Sequence, residues 1–504
     1  MDVRDILDSN ARRWPDKVAI IHGDRPYTYR WLADQASRLA QGLTAQLAAG
    51  ELLALWLPNG PELVCLYLAC LRCGVVPMPL HHGMKWPEVS AVLEHSQARL
   101  LVVGARPVMP DGAGLRATRV ERMYALDPVP CAGAQSWTEL MRAAADAARA
   151  RATTESPGFV LHTSGSEGRA KGVMLSYANL NHILDFRLAQ TRLSPESVSV
   201  VASCLTQSVG LHQCLALLAA GGTMVLLEDY DVVPMVRVIH RYRPTHLIMV
   251  VNAFDRLLGH PDITARSLDS VIFAAVGADR VTPGVQNRYI ALTGKALNVS
   301  YGMTESSWAI VNFDGRQDKC LALGKPGPGV TIRLVNRQGQ DAAIGEVGEI
   351  WIKSPRTMLG YLRDEVLTRA AFVDGWLVSG DLAYRDSEGY YWFAGRNKQI
   401  IVLSTGDTVS PVEVEEALLA YPGVVRCVVL PAGQAEDGSE VPVALVERHD
   451  HTVSETALRA YLEQRLSAYK VPRRIVFVSA LPVGATGKVW RVGAAAPWPG
   501  DGCA

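Results

Sequence analysis

The sequence predicts an α/β protein: a large N-terminal domain of parallel-type sheets flanked by helices, carrying a β-rich subdomain, followed by a small α+β domain. Three observations carry this. Helix-period and short all-apolar segments alternate in the first part. Beyond residue 320, Gly and Pro become frequent and strands alternate with period two. The last hundred residues hold their own set of helices and strands. A chain of 504 residues also exceeds what one simple core supports.

Taken in order, Leu32, Ala36, Leu39, Leu43 and Leu47 recur near helical spacing and predict a helix over 31–48. The all-apolar run Leu52–Leu57 reads as a buried strand ended by Pro58-Asn59-Gly60. A helix over 61–72 and a strand over Val75–Leu80 follow Gly60 and Gly74, and strand–helix–strand predicts a parallel pair. Residues 141–156, rich in Ala and Arg, read equally as a connector or a surface helix with a loop. Gly348–Lys353 and Tyr390–Phe393 are period-two strands, placing the β-rich subdomain across about 320–395. A helix around 411–420 precedes strands over Val424–Leu430 and Val441–Val446, and Ser454 is placed to cap a helix running to about 467. The resulting division is 1–395, 396–490 and a tail over 491–504.

Lys+Arg and Asp+Glu both total 50, so there is none of the basic excess of a nucleic-acid binder. The acidic start Met1–Asp5 has no apolar signal region, and no run approaches a membrane span. These features predict a soluble, cytoplasmic protein. Cys70 and Cys73 form a C-x-x-C pair without a second pair or His at metal spacing, and their apolar surroundings predict reduced core thiols.

The strongest local signal lies at 159–172. An apolar strand, Phe159-Val160-Leu161-His162, runs into Thr163-Ser164-Gly165-Ser166-Glu167-Gly168-Arg169-Ala170-Lys171-Gly172. The glycines let backbone approach a ligand, the hydroxyls donate, and Lys171 brings a point charge, a chemistry suited to phosphate. The spacing is not that of a Walker A loop.

Further blocks follow in order: Tyr301-Gly302-Met303-Thr304-Glu305, Ser379-Gly380-Asp381, Gly395-Arg396-Asn397-Lys398 and Leu481-Pro482-Val483-Gly484-Ala485-Thr486-Gly487-Lys488. With the loop, they make the chain resemble the adenylate-forming superfamily of acyl- and aryl-CoA ligases, peptide-synthetase adenylation domains and firefly luciferase, over essentially its whole length. The resemblance implies a carboxylate attacking the α-phosphorus of ATP with loss of pyrophosphate, then acyl transfer to the thiol of CoA or of a carrier-protein phosphopantetheine. It assigns residues 163–172 to the β- and γ-phosphates and Tyr301, with Gly302 and Met303 beside it, to the AMP moiety. Thr304 falls on the α-phosphate, Glu305 on Mg²⁺, and Asp381 and Arg396 on the ribose. The resemblance further implies that Lys488 bridges the reacting carboxylate and phosphate, and that Lys398 is the hinge about which a mobile small domain turns. Cations and donors are what such chemistry needs, because like charges must be brought together.

Three positions depart from the superfamily pattern. Glu167 replaces a Thr of the phosphate loop. Ser208, beside Gln207, stands where amino-acid-activating relatives carry Asp, which disfavours an α-amino acid substrate. Val276-Gly277-Ala278-Asp279 replaces a Gly-Gly-Ala-Pro-like strand end. The resemblance places Gln207, Val276 and Gly277 at the acyl pocket. Leu403–Asp407 leans toward fatty acyl ligases, so a medium or long aliphatic acid ranks first and an aryl acid next. About 16 residues follow Lys488, so a carrier would be a separate protein. An amine or other non-thiol acceptor, and a non-catalytic sensor, remain as alternatives.

Overall fold

The structure, a computed structural model, describes residues 1–104, 115, 118–126, 133–142, 152–164, 170–278, 281, 283–336, 338–396, 401–403, 405, 407–409, 411–432, 440–448, 453–479 and 481. The backbone forms two compact units, one of residues 1–82, 89–163 and 171–397, the other of 83–88, 164–170 and 398–504.

The large unit contains a nine-stranded sheet. Its order runs Lys325–Pro326, Ser307–Asn312, Asn298–Met303, Phe273–Gly277, His246–Val250, Val198–Val201, Thr223–Leu226, Val18–His22 and Arg25–Thr28. The six strands from Asn298–Met303 to Val18–His22 pair in parallel, and antiparallel strands close both ends. The edge strand Arg25–Thr28 carries Arg25 and Pro26, which blunt an open edge. A second, parallel sheet orders Val76–Leu80, Leu52–Trp56, Leu100–Val103, Arg122–Ala125 and Gln135–Ser136. The expected parallel strand pair is there, with Leu80 opposite Trp56.

Local chemistry accounts for the helices. Thr28 Oγ1 accepts from Trp31 N at 3.2 Å and starts Tyr29–Thr44, whose Leu32, Ala36, Leu39 and Leu43 are buried. Pro61 opens Pro61–Cys73, and Gly74, at φ 81°, closes it with its N–H on the Cys70 carbonyl. That helix is apolar nearly all round and packs into the main core, with Cys70 fully buried; burial pushes its thiol well up.

Beyond Lys325 the β-rich part forms its own antiparallel sheet of Thr331–Val335, Gly348–Lys353, Trp376–Arg385 and Phe372–Val373, with Tyr391–Arg396 added along Trp376–Arg385. The expected strand at Tyr390–Phe393 is longer and takes in Gly395 and Arg396. The small unit packs the helices Pro411–Leu419 and Glu455–Glu463 on the sheet Val424–Ala432, Val441–Arg448, Arg474–Phe477, around Val414, Leu418, Val429, Val446, Leu458 and Leu462. Ser454 caps its helix as expected, but the helix stops at Glu463 rather than about 467. The N–H groups of Arg465 and Leu466 both turn back to the Leu462 carbonyl, at 2.9 and 2.7 Å, and tighten the last turn. Residues 143–151 and 491–504 lie outside the described residues, so the connector and the tail are not placed. Among the described residues no helix is long and apolar enough to cross a membrane.

Candidate active site

The strand Asn298–Met303 ends in the turn that carries Thr304 and Glu305, and the antiparallel strand Ser307–Asn312 returns from it. Gly302 has no alternative in this hairpin. A Cβ there would lie 1.9 Å from the Ser307 carbonyl oxygen and 2.9 Å from the Trp308 Cα. Ser307 itself sits at φ 56°, in the left-handed region a side chain rarely adopts. The hairpin is therefore held in one shape by close backbone contact.

From the end of that strand the Tyr301 hydroxyl donates to Asp381 Oδ2 at 2.9 Å. Asp381 lies on Trp376–Arg385, and Arg396 stands opposite it in the ladder with Tyr391–Arg396. Tyr301 and Asp381, 80 positions apart, are thus joined directly, and Arg396 is their neighbour in register. Thr304 Oγ1 lies 3.5 Å from Ser208 Oγ, at the start of the helix Ser208–Ala220 that Gln207 precedes.

Glu305 is 7% exposed, and its Oε1 accepts from the Tyr361 hydroxyl at 2.9 Å. Burial, then the Glu305 carboxylate, pushes the Tyr361 phenol well above its ordinary value, so it remains a donor. Tyr361 is fixed by the short strand Gly360–Tyr361, which pairs with Ala170–Ser176 opposite Met174 and Val173. Pro157–Ser164 completes that three-stranded sheet. Lys171 lies on its middle strand, with Nζ 5.4 Å from the Tyr361 ring centroid. A chain of contacts thus runs from Lys171 through Tyr361 to Glu305, four residues from Tyr301. Thr163, half-buried, is the penultimate residue of the strand that leads into the Ser/Gly segment.

Gly165, Ser166, Glu167, Gly168, Lys398 and Lys488 lie outside the described residues, as do the side chains of Ser164 and Arg396. Val276 is 1% exposed within an apolar cluster of Val250, Phe254 and Val299. Gly277 lies where a Cβ would meet Ser300 O and Oγ at 2.6 Å.

Sequence reasoning missed Tyr361, for which no periodic signal exists. It also missed a buried cationic cluster behind the hairpin. Arg187, 1% exposed, stacks on Trp308 with its guanidinium carbon 3.2 Å from the ring centroid. Arg356 donates to the carbonyls of Pro328 and Trp308, each at 3.1 Å. His212 Nδ1 lies 3.4 Å from Ser307 Oγ. Burial drives Arg187 down to about 9, Arg356 to about 10 and His212 to about 3, so His212 is neutral and the guanidiniums keep their charge at neutral pH. The signal was present, because Arg187 occupies the apolar stripe Leu180, Ile183, Leu184, Arg187, Thr191 of its helix.

This arrangement joins a tyrosine, an aspartate, a buried glutamate and a lysine around one hairpin. Its ingredients suit a ligand with an aromatic base, a diol and charged phosphates. Known proteins agree. Residues 7–362 match the AMP-binding enzyme family and residues 413–488 the AMP-binding enzyme C-terminal domain. The chain is 30% identical to a feruloyl-CoA synthase of Amycolatopsis sp over 483 residues, 95% of each protein. Its fold is similar to that of o-succinylbenzoate CoA synthetase from Bacillus subtilis (TM-score 0.85, 26% identity, 97% of each chain). It is equally similar to an amide bond synthetase from Marinactinospora thermotolerans (TM-score 0.86, 25% identity, 97% of this chain and 98% of that one). The chain belongs to the AMP-binding enzyme family.

Proposed function

We propose that the protein activates a carboxylic acid with ATP, forming an acyl-adenylate and pyrophosphate, and passes the acyl group to the thiol of CoA. The observation that carries this reading is the Tyr301–Asp381 hydrogen bond at 2.9 Å beside Thr304 and Glu305. It sets an aromatic ring and a carboxylate acceptor beside a hairpin that also offers a hydroxyl and a second carboxylate. Tyr301 flanks the adenine, Asp381 accepts from the ribose hydroxyls with Arg396 assisting, and Thr304 donates to the α-phosphate. Lys171, with Thr163, Ser164, Gly165, Ser166, Glu167 and Gly168, would take the outer phosphates. Donors fixed before the reaction stabilise charge that grows on phosphorus oxygens without reorganising.

Glu305 fits Mg²⁺: it is a hard oxygen donor, buried, and oriented by Tyr361. Bound there with phosphate oxygens, the ion would offset the charge of the triphosphate. Lys488 delivers the cation to the bond-forming carboxylate and phosphate. Lys398 is the hinge that withdraws it before thiol attack.

The test is acid-dependent exchange of labelled pyrophosphate into ATP across aliphatic, aryl and amino acids, followed by addition of CoA, a phosphopantetheinylated carrier or an amine. Exchange with an aliphatic or aryl acid and thioester formation with CoA support the reading. Absence of exchange with every class refutes it. Similarity to an amide bond synthetase favours a second reading, in which an amine takes the acyl group; amide formation with no thioester would establish it.

A further inference from the structure

Three potential ligand atoms, from segments that follow strands of two different sheets, converge outside the residues used above. His81 and His82 directly follow the strand Val76–Leu80, and Cys204 lies three residues beyond Val198–Val201. One ligand atom from each of His81, His82 and Cys204 lies within 4.8 Å of the other two, and this is the one such trio among the described residues. The two imidazoles stack with centroids 4.8 Å apart and planes 23° from parallel, so both rings lie on the same side of the chain. His82 is exposed, while His81 and Cys204 are half-buried.

The trio is held from behind. Leu80 is locked in register with Trp56, fixing the strand end from which His81 projects. Asn59, 2% exposed and just past that same Trp56, donates to the Ser203 carbonyl at 3.1 Å and accepts from Leu205 N–H at 2.8 Å. Both neighbours of Cys204 are therefore pinned by one amide on the turn beside His81. Ligand-bearing segments fixed in this way lose little freedom when an ion binds.

We propose that His81, His82 and Cys204 bind a thiophilic divalent transition metal of the Zn²⁺ class, with water in the fourth position. Around a tetrahedral zinc with bonds near 2.0–2.3 Å, ligand atoms stand about 3.4–3.8 Å apart, so closing the 4.8 Å spread requires an imidazole to turn out of the stack and aim its in-plane lone pair at the ion. Imidazole and thiolate select zinc and cobalt over Mg²⁺ or Ca²⁺. Binding replaces the thiol S–H bond by an S–metal bond and releases that proton to solvent. The metal staples the Cys204 segment to the end of the second sheet, and none of its three ligands is the carboxylate that would take Mg²⁺.

Untagged protein titrated with Co²⁺ tests this. The expected result is one ion per chain, a thiolate-to-cobalt charge-transfer band with the d–d bands of tetrahedral coordination, displacement by Zn²⁺, and a melting temperature that rises with Zn²⁺ concentration. Cys204→Ser abolishes the charge-transfer band. His82→Ala removes a direct ligand and weakens binding by more than about 10-fold, and its metal-free melting temperature, measured alongside, reads separately the loss of its stacking on His81. A charge-transfer band that survives Cys204→Ser, Co²⁺ affinity unchanged by His82→Ala, or no stoichiometric Co²⁺ uptake by the wild type would each overturn the proposal.

Discussion

Replacing Gly302 by alanine adds one methyl group at the tightest point of the proposed nucleotide site. The new Cβ would meet Ser307 O at 1.9 Å, Ser307 C at 2.7 Å and Trp308 Cα at 2.9 Å. All three are backbone atoms, so no side-chain rotation relieves the clash. The strands must part by more than about 1 Å to reach ordinary contact, which costs about 1–3 kcal/mol as overpacking. Loss of one or two ladder hydrogen bonds adds about 1 kcal/mol each. The sum is about 2–5 kcal/mol. Tyr301 is the preceding residue, and a displacement near 1 Å at a reacting site costs about 100-fold in rate. Gly259→Ala is the control, because that position ends a helix and nothing lies within 4 Å of its Cβ. Chemical denaturation and acid-dependent pyrophosphate exchange read the two effects. If Gly302→Ala matches Gly259→Ala in both stability and exchange, the close-contact reasoning for this hairpin is wrong.

Three other outcomes follow from the same geometry. Tyr361→Phe keeps the ring near Lys171 but removes the donor to Glu305, a hydrogen bond to a charged group worth about 1.5–3 kcal/mol. Exchange should fall about 10- to 100-fold and require more Mg²⁺, and an unchanged Mg²⁺ dependence would separate Tyr361 from metal binding. Lys488→Ala should lower acyl-adenylate formation by about 100-fold or more while leaving thioester formation from supplied acyl-AMP intact. Equal loss of both half-reactions contradicts its role. Finally, burial holds His162 down to about 4 and His212 to about 3, with His95 and Arg187 respectively as secondary causes. The unfolded chain takes up these protons below about pH 6.5 and the folded chain does not until near those lower values. Stability is therefore full above about 6.5 and falls with acidification by up to about 1.4 kcal/mol per pH unit for each histidine. Denaturation midpoints from pH 7 to about 4.5 should show this slope, with one histidine's share lost in His212→Gln.

Much of this was legible in the sequence where physics is local. The all-apolar Leu52–Trp56 and the Pro61 and Gly74 boundaries set a strand and a helix without tertiary help. The order of motif blocks, rather than any one block, pointed to the superfamily. What stayed hidden was long-range. Nothing in Met358–Tyr361 announces that a phenol will reach a glutamate 56 positions earlier, because strand pairing with Ala170–Ser176 brings it there. Arg187 was readable as a charge on an apolar stripe, but its partner ring, Trp308, comes from a strand over a hundred residues away. The helix after Ser454 was overextended because apolar spacing continues through Leu466, while backbone hydrogen bonds to Leu462 end it sooner.

The central claim is that the acid's own oxygen attacks phosphorus. The direct measurement starts from an acid carrying ¹⁸O in its carboxylate and follows the label by mass spectrometry after turnover with ATP and CoA. Acyl-adenylate chemistry places one ¹⁸O in AMP and none in pyrophosphate. Label appearing in inorganic phosphate, or thioester made with unlabelled AMP, would contradict it.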